Sequence, residues 1–421
     1  MHPRSAISET IHPMQTDSLN NPVTLQNPAS LPLLNDFVEG FIASQARAVN
    51  LLQLALTDLS PIVQACCAAL HLFAENADAA KNAKPFIAAA QASTLQATPR
   101  ELRFVHAVAA WAAGDVPRAI KLHQEQATEH PRDLVSLKLG QYHLFNTGDA
   151  AGMLTIAQAC QTKSAHVPHF HGMLAFGYEQ CHLLTQAETS ARQGLYLTPK
   201  NGLQDPWAHH ALAHVMLAQG RYTEGQAFMR EASSHWQGLN SFMQTHNWWH
   251  QALFALELNQ PEEALRLYDE QVWGVAKGYS QDQINAVSLL ARLELAGVDV
   301  GPRWQDLVPY LTPRTHDHVL PFLDLQYLYG LARSGRPEAD VLMRNLQAHS
   351  QALTDRQAAH TWQKVALPAA RGVLAHARGQ WRIASQQLGM ALPQLQAIGG
   401  SHAQRDLFVR IHQDARARAG I

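Results

Sequence analysis

Charge of one sign is the first thing this chain lacks. Lys and Arg number 32 against 34 Asp and Glu, a formal net charge of −2 over 421 residues, so the basic surplus of a nucleic-acid binder is missing. Cysteine is scarce as well. Cys66, Cys67, Cys160 and Cys181 form no C-x-x-C pair and all lie in apolar helical runs, which predicts buried reduced thiols in a cytoplasmic protein. No apolar run approaches the ~20 residues of a membrane span. Residues 1–32 show no basic segment followed by an apolar one, so no secretory signal is read there. Alternating β-branched runs are absent too. Ala, Leu and Gln recur at helical spacing instead, and the chain reads as all-α.

The helices repeat. In 105–133 the small residues Ala107 and Ala119 stand 12 apart and Pro131 follows 12 later; in 171–201 Ala175, Ala187 and Pro199 repeat those offsets. Ala252 and Ala264 keep the spacing, as do Gly372 and Ala384 and, less regularly, Gly140 with Gly152 and Ala213 with Gly225. These are the offsets of tetratricopeptide repeats, helical hairpins whose small residues let two helices cross closely. Each hairpin exposes an apolar face that only its neighbours can cover, so one curved or closed superhelix is expected. No linker long enough to divide the array is visible.

Histidine is the abundant residue, at 24, so acid is expected to stress the fold. Two H-x-x-x-H pairs, His210/His214 and His246/His250, sit on the leading helices of successive hairpins, and residues four apart share a helix face. Counting each crossing residue as position 8 puts His169, His210, His214, His246 and Glu179 on the concave wall, with His250 nearer the packing seam. His210, His214, His246 and His250 are the candidate catalytic residues, as a general acid–base group. A zinc or other divalent ion is the lesser option, because H-x-x-x-H lacks the Glu that makes H-E-x-x-H a hydrolase signal. Trp207 is the best placed of Trp207, Trp248 and Trp249 for a pocket wall, although tryptophan at such positions more often fills hairpin packing.

Two further clusters stand out. In 312–335 Thr315 reads as a helix N-cap, with His316, Asp317 and His318 in the first turn, where Asp317 also complements the helix dipole. In GGSHAQRDLF (399–408), two glycines end one helix and Ser401 with Gln404 forms a capping box. That grammar leaves His402, Arg405 and Asp406 unexplained. Arg405 and Asp406 form either a solvated pair or, through Arg405, an anchor for a carboxylate or phosphate.

The chain resembles the tetratricopeptide-repeat protein 38 family. The segments that carry the resemblance are WAHHALAHVMLAQGR (207–221), THNWWHQALFALE (245–257) with ALRLYDE (264–270), LELAGVDVGPRWQDL (293–307), HDHVLPFLDLQYLYGLA (316–332) and GGSHAQRDLF (399–408). The resemblance implies a helical superhelix and no particular reaction. His210, His214, His246, Asn247, His250, His316, Asp317, His318, His402, Arg405 and Asp406 all lie inside those segments. Residues 1–30 match nothing in it and are expected to be a disordered tail before a repeat domain over 31–421.

The expectation for function is a His-rich pocket for a small anionic molecule, with hydrolysis or elimination as the chemistry if there is any. Trp207, His169, Glu179, Asn247, His316, Asp317, His318, His402, Arg405 and Asp406 are the expected binding residues. The competing reading is a scaffold that holds a protein or peptide along the concave face.

Overall fold

A computed structural model describes residues 15–198 and 205–421. Over those residues the chain is a succession of antiparallel helical hairpins, with one pair of two-residue strands, Gln15–Thr16 and Pro22–Val23, beside them. No helix among the described residues is long and apolar enough to cross a membrane.

The hairpins form where the sequence grammar asks for them. Asp115, Asp133, Asp149 and Asp205 each accept a backbone N–H at a helix start, and Thr98 and Ser401 make complete capping boxes. Each such cap is worth about 1 kcal/mol. The crossing residues Ala107, Ala119, Ala175, Ala187, Ala213, Ala252 and Ala264 are buried. At Gly225 a Cβ would stand 2.2 Å from the Phe254 ring, so that crossing admits no side chain. Between the two helices of a hairpin the chain passes through the left-handed region, usually on glycine: Gly114, Gly148, Gly220, Gly297, Gly335 and Gly379. Glu75, His182 and Asn259 occupy the same kind of turn. Pro199 and residues 203–204 of the repeat units lie outside the described residues.

The array closes on itself. Glu75, in an early turn, accepts hydrogen bonds from Ser280 Oγ and Gln281 Nε2, both at 2.6 Å, and from Tyr142 OH at 2.8 Å. Asp317 accepts from the Ala77 N–H at 3.0 Å. The Ala46 and Asn240 N–H groups bond across to Gly238 and Ser44. At a second seam the Gly148 turn lies so close to Gln396 that a Cβ would fall 2.2 Å from its carbonyl oxygen. Arg292 reaches the Ala403 carbonyl at 2.6 Å, and the His402 ring nitrogen lies 3.2 Å from the Gln180 carbonyl oxygen. Repeats distant in sequence therefore meet across the inside of the superhelix.

Three expectations change. Residues 15–30 are ordered against the body, since Val23 is in the core, Asn21 donates to the Arg132 carbonyl and Thr24 binds Glu101; residues 1–14 lie outside the described residues. Thr315 is not an N-cap, and His316, Asp317 and His318 precede the helix rather than open it. The helix begins at Pro321, because the residue before a proline is pushed to extended backbone and Leu320 adopts it. Cys66, Cys67 and Cys160 are buried as expected, whereas Cys181, at a helix end, is half-buried.

Candidate functional site

Helices Pro206–Ala218 and Ser241–Glu257 lead two successive hairpins and present their H-x-x-x-H faces to each other. His210, His214, His246 and His250 are 2%, 1%, 2% and 0% exposed. One ring nitrogen from each lies within 4.8 Å of the others. The Nε2 atoms of His210 and His214 are 3.1 Å apart, and the His250 ring centroid is 4.6 Å from that of His214 and 4.8 Å from that of His246. His250 thus touches all three other rings; the seam to which its register assigned it is buried between the two successive hairpins.

Aromatic rings wall the cluster. His246 is sandwiched between Phe242 and Trp249, at 5.2 and 5.1 Å. Phe176 and Trp207 pack on His210, and Phe176 also on His214. Burial in this apolar shell pushes the His246 imidazolium down to about 3, against the help of Asn285, and carries His210 and His250 well below the ordinary histidine value. That favours the neutral form of His210, His246 and His250, the form in which imidazole acts as base or ligand.

Two rings are oriented from outside. Glu179 Oε1 lies 3.4 Å from His214 Nδ1, and Asn285 Oδ1 lies 2.9 Å from His246 Nδ1. Burial raises Glu179, but His214 and then His402 outweigh it and hold the carboxyl below its usual range. Both nitrogens of His250, Nδ1 of His210 and both amide atoms of Asn247 are buried without a bonding partner.

A cavity of about 520 Å³ is lined by none of the four rings; its link to them runs through Gln180, the neighbour of Glu179. Its wall is apolar at Phe145, Met153 and Leu395 and polar at Gln180, His402 and Arg405, with Asp406 at its edge. Glu179 links cluster and cavity: it touches His214 and accepts from the Gln180 side-chain amide, and the Gln180 backbone carbonyl accepts from His402 Nε2. Arg405 donates to the Gly400 carbonyl and to His402 Nδ1. It makes no ion pair with Asp406, which pairs instead with Arg292 and Arg410. Burial lowers the Arg405 guanidinium to about 10, opposed by Glu179. The solvated-pair reading of Arg405 and Asp406 gives way, since each has other partners. His182 packs against His402, ring centroids 4.1 Å apart and planes tilted by 39°, from a left-handed backbone, φ 57°.

The remaining expected residues divide. Trp207 borders the cluster. His169 lies apart from the four rings, with Nδ1 3.5 Å from the helix-capping Asp205. Asp317 pairs with Arg314 at the seam that meets Ala77, so it orients no imidazole of the cluster. His318 pairs with Asp324, and His316 Nδ1 is 3.0 Å from Thr315 Oγ1. Those three residues form a separate polar seam rather than a part of the pocket.

Sequence reading missed Asn285, Arg292 and His182. The signal for the first two was a polar stripe, Asn285, Ser288 and Arg292, at helical spacing on an otherwise apolar helix, all buried. For His182 it was a histidine where the sister turns carry glycine.

No family model matches the chain, so the family resemblance stands as an expectation. Among solved structures, one described as "Structure of Naa15/Naa10 bound to HypK-THB" is similar at a TM-score of 0.28 and 13% identity, over 93% of this chain and 62% of that one. The chain therefore spans less than two thirds of the length of that relative.

Proposed function

We propose that the closed superhelix binds a small organic anion in the cavity beside Arg405. The observation that carries this reading is the Arg405 guanidinium, half-buried on the cavity wall and in no ion pair among the described residues. A desolvated guanidinium favours a planar carboxylate, which it meets with two parallel N–H bonds. The volume suits a small molecule. The apolar wall at Phe145, Met153 and Leu395 suits a ligand with a hydrocarbon body behind its charged end.

Proton transfer, if the ligand is a substrate, falls to His402 rather than to the four clustered rings, because His402 lines the cavity. Burial lowers its imidazolium, with Glu179 opposing, and its Nδ1 becomes free to take a proton when Arg405 turns from it to the ligand. The closed interior weighs against the scaffold alternative, since a peptide groove needs an open concave face.

Isothermal titration with a series of aliphatic mono- and dicarboxylates tests the reading. Saturable binding that Arg405→Gln weakens at least tenfold, with the melting temperature kept, supports it. Binding indifferent to Arg405→Gln, or no binding by the whole series, removes it.

A further inference from the structure

We propose that His210, His214, His246 and His250 form a closed, four-imidazole site for a late first-row divalent ion, with Zn²⁺ as its best fit. The proposal concerns the buried cluster and stands independently of anion binding in the cavity.

Four observations carry it. One nitrogen from each ring falls within 4.8 Å of the other three, a spread that a small local closure brings to the ~2.0–2.1 Å metal–nitrogen shell of zinc. The closest pair is nearly there already: His210 and His214 Nε2 are 3.1 Å apart, and two nitrogens at ~2.05 Å from one ion subtend roughly 100° at that separation, close to tetrahedral.

The second observation is the outer shell. Glu179 faces Nδ1 of His214 and Asn285 faces Nδ1 of His246. Each partner fixes its ring with Nδ1 outward and Nε2 inward. Ligating histidines are held in this way, by an acceptor on the nitrogen that does not bind the ion. Glu179 also brings one negative charge next to an otherwise neutral donor set, which offsets part of the cost of burying a dication.

The third is an unmet demand. His250 is fully buried, and neither of its nitrogens has a partner; Nδ1 of His210 has none either. A buried imidazole nitrogen left unbonded costs about 1–3 kcal/mol; a metal bond removes that cost at one nitrogen of His250, while Nδ1 of His210, whose Nε2 faces the ion, keeps its own. The fourth is the donor type. An all-nitrogen set excludes Mg²⁺ and Ca²⁺, which take oxygen, and favours zinc or its neighbours.

Four protein ligands leave no open position, so the ion is structural. It ties helix Pro206–Ala218 to helix Ser241–Glu257, which belong to successive hairpins whose apolar cores join here only in part. Through Glu179 it also fixes Gln180 on the cavity wall.

The alternative is a metal-free knot in which neutral rings share protons, the 3.1 Å contact being an N–H···N bond. Untagged protein stripped with a chelator and titrated with Co²⁺ separates the two. A metal site binds one Co²⁺ per chain with the intense visible bands of tetrahedral coordination, and Zn²⁺ displaces it. Zn²⁺ also raises the melting temperature, with the logarithm of its concentration above Kd. Glu179→Gln keeps the spectrum and weakens Zn²⁺ 10–100-fold. His250→Gln abolishes the spectrum. His123→Gln, a buried histidine outside the cluster, is the control that leaves it intact. If His250→Gln fails to fold, the Glu179→Gln titration decides. No stoichiometric Co²⁺ band and a melting temperature indifferent to Zn²⁺ would overturn the proposal and leave the shared-proton knot.

Discussion

Glu75 and Ser280 are joined by a 2.6 Å hydrogen bond across 205 positions of sequence. Glu75 has a left-handed backbone, φ 49°, at a hairpin turn where glycine is the easy choice. The chain accepts that cost and gains a carboxylate that receives Ser280, Gln281 and Tyr142 together. The bond pins the start of helix Ser280–Leu295, which carries Asn285 behind His246. Ring closure and the orientation of a clustered imidazole are therefore one mechanical unit.

Glu75→Ala deletes all three bonds and strands their donors. The loss expected is about 3 kcal/mol, read in urea denaturation. Amide exchange should accelerate first at the start of helix Ser280–Leu295, and the radius of gyration should rise as the seam opens. A loss of stability with unchanged exchange in that helix would mean that Glu75 acts locally and does not hold the ring.

His182 makes the opposite bargain visible. Sister turns use Gly114, Gly148 and Gly220 at φ 77°, 75° and 70°, while His182 sits at 57° with its ring on His402. His182→Gly should relieve about 1 kcal/mol of backbone cost and remove the ring contact that braces the cavity's imidazole. The expected variant melts higher and binds carboxylates more weakly. A variant that melts lower would show that the ring contact outweighs the backbone penalty.

The particular features legible in sequence are the local ones. Ala107 with Ala119, or Ala175 with Ala187, announce a helix crossing because only small residues fit there, and His210 with His214 announce a shared face because helical geometry is fixed at 3.6 residues per turn. The contacts of Glu75 with Ser280, Gly148 with Gln396 and His402 with Gln180 were not legible. They depend on the summed rotation of many hairpins, in which small angular errors accumulate. His250 differs: its register assigns it to the seam between successive hairpins, and that seam is where the four rings meet. His316–His318 failed for a local reason, since Pro321 resets where the helix can start.

His123 supplies a test of acid sensitivity away from the cluster. It is buried, with Nδ1 2.7 Å from Ser136 Oγ and its ring 5.7 Å from that of His143. Burial pushes its imidazolium down to about 3. The unfolded chain takes up the proton near pH 6.5 and the folded chain does not, so stability is present above 6.5 and is lost as pH falls toward 3. At pH 5 the loss is about 2 kcal/mol. His123→Gln cannot titrate, so its urea midpoint should fall less between pH 7.5 and 5 than that of the parent. Parallel pH profiles would show that His123 is protonated in the fold.

Asp324 gives the reverse sign. Its carboxyl is buried, with Oδ2 3.0 Å from His318 Nδ1 and Oδ1 without a partner. Burial raises it to about 6; the bond and charge of His318 oppose this, and the charge of Asp317 adds to it. A carboxyl that holds its proton more tightly in the fold stabilises below the unfolded value near 3.9, and that contribution is lost as pH rises through about 6. Asp324→Asn removes the titration and keeps an acceptor for His318. Its stability relative to the parent should therefore improve by about 1 kcal/mol between pH 5 and pH 7.5, measured as paired urea midpoints. An advantage that grows toward acid instead would mean that the ionised Asp324–His318 pair is the form the fold prefers, and that the seam at His318 is held by charge rather than by a shared proton.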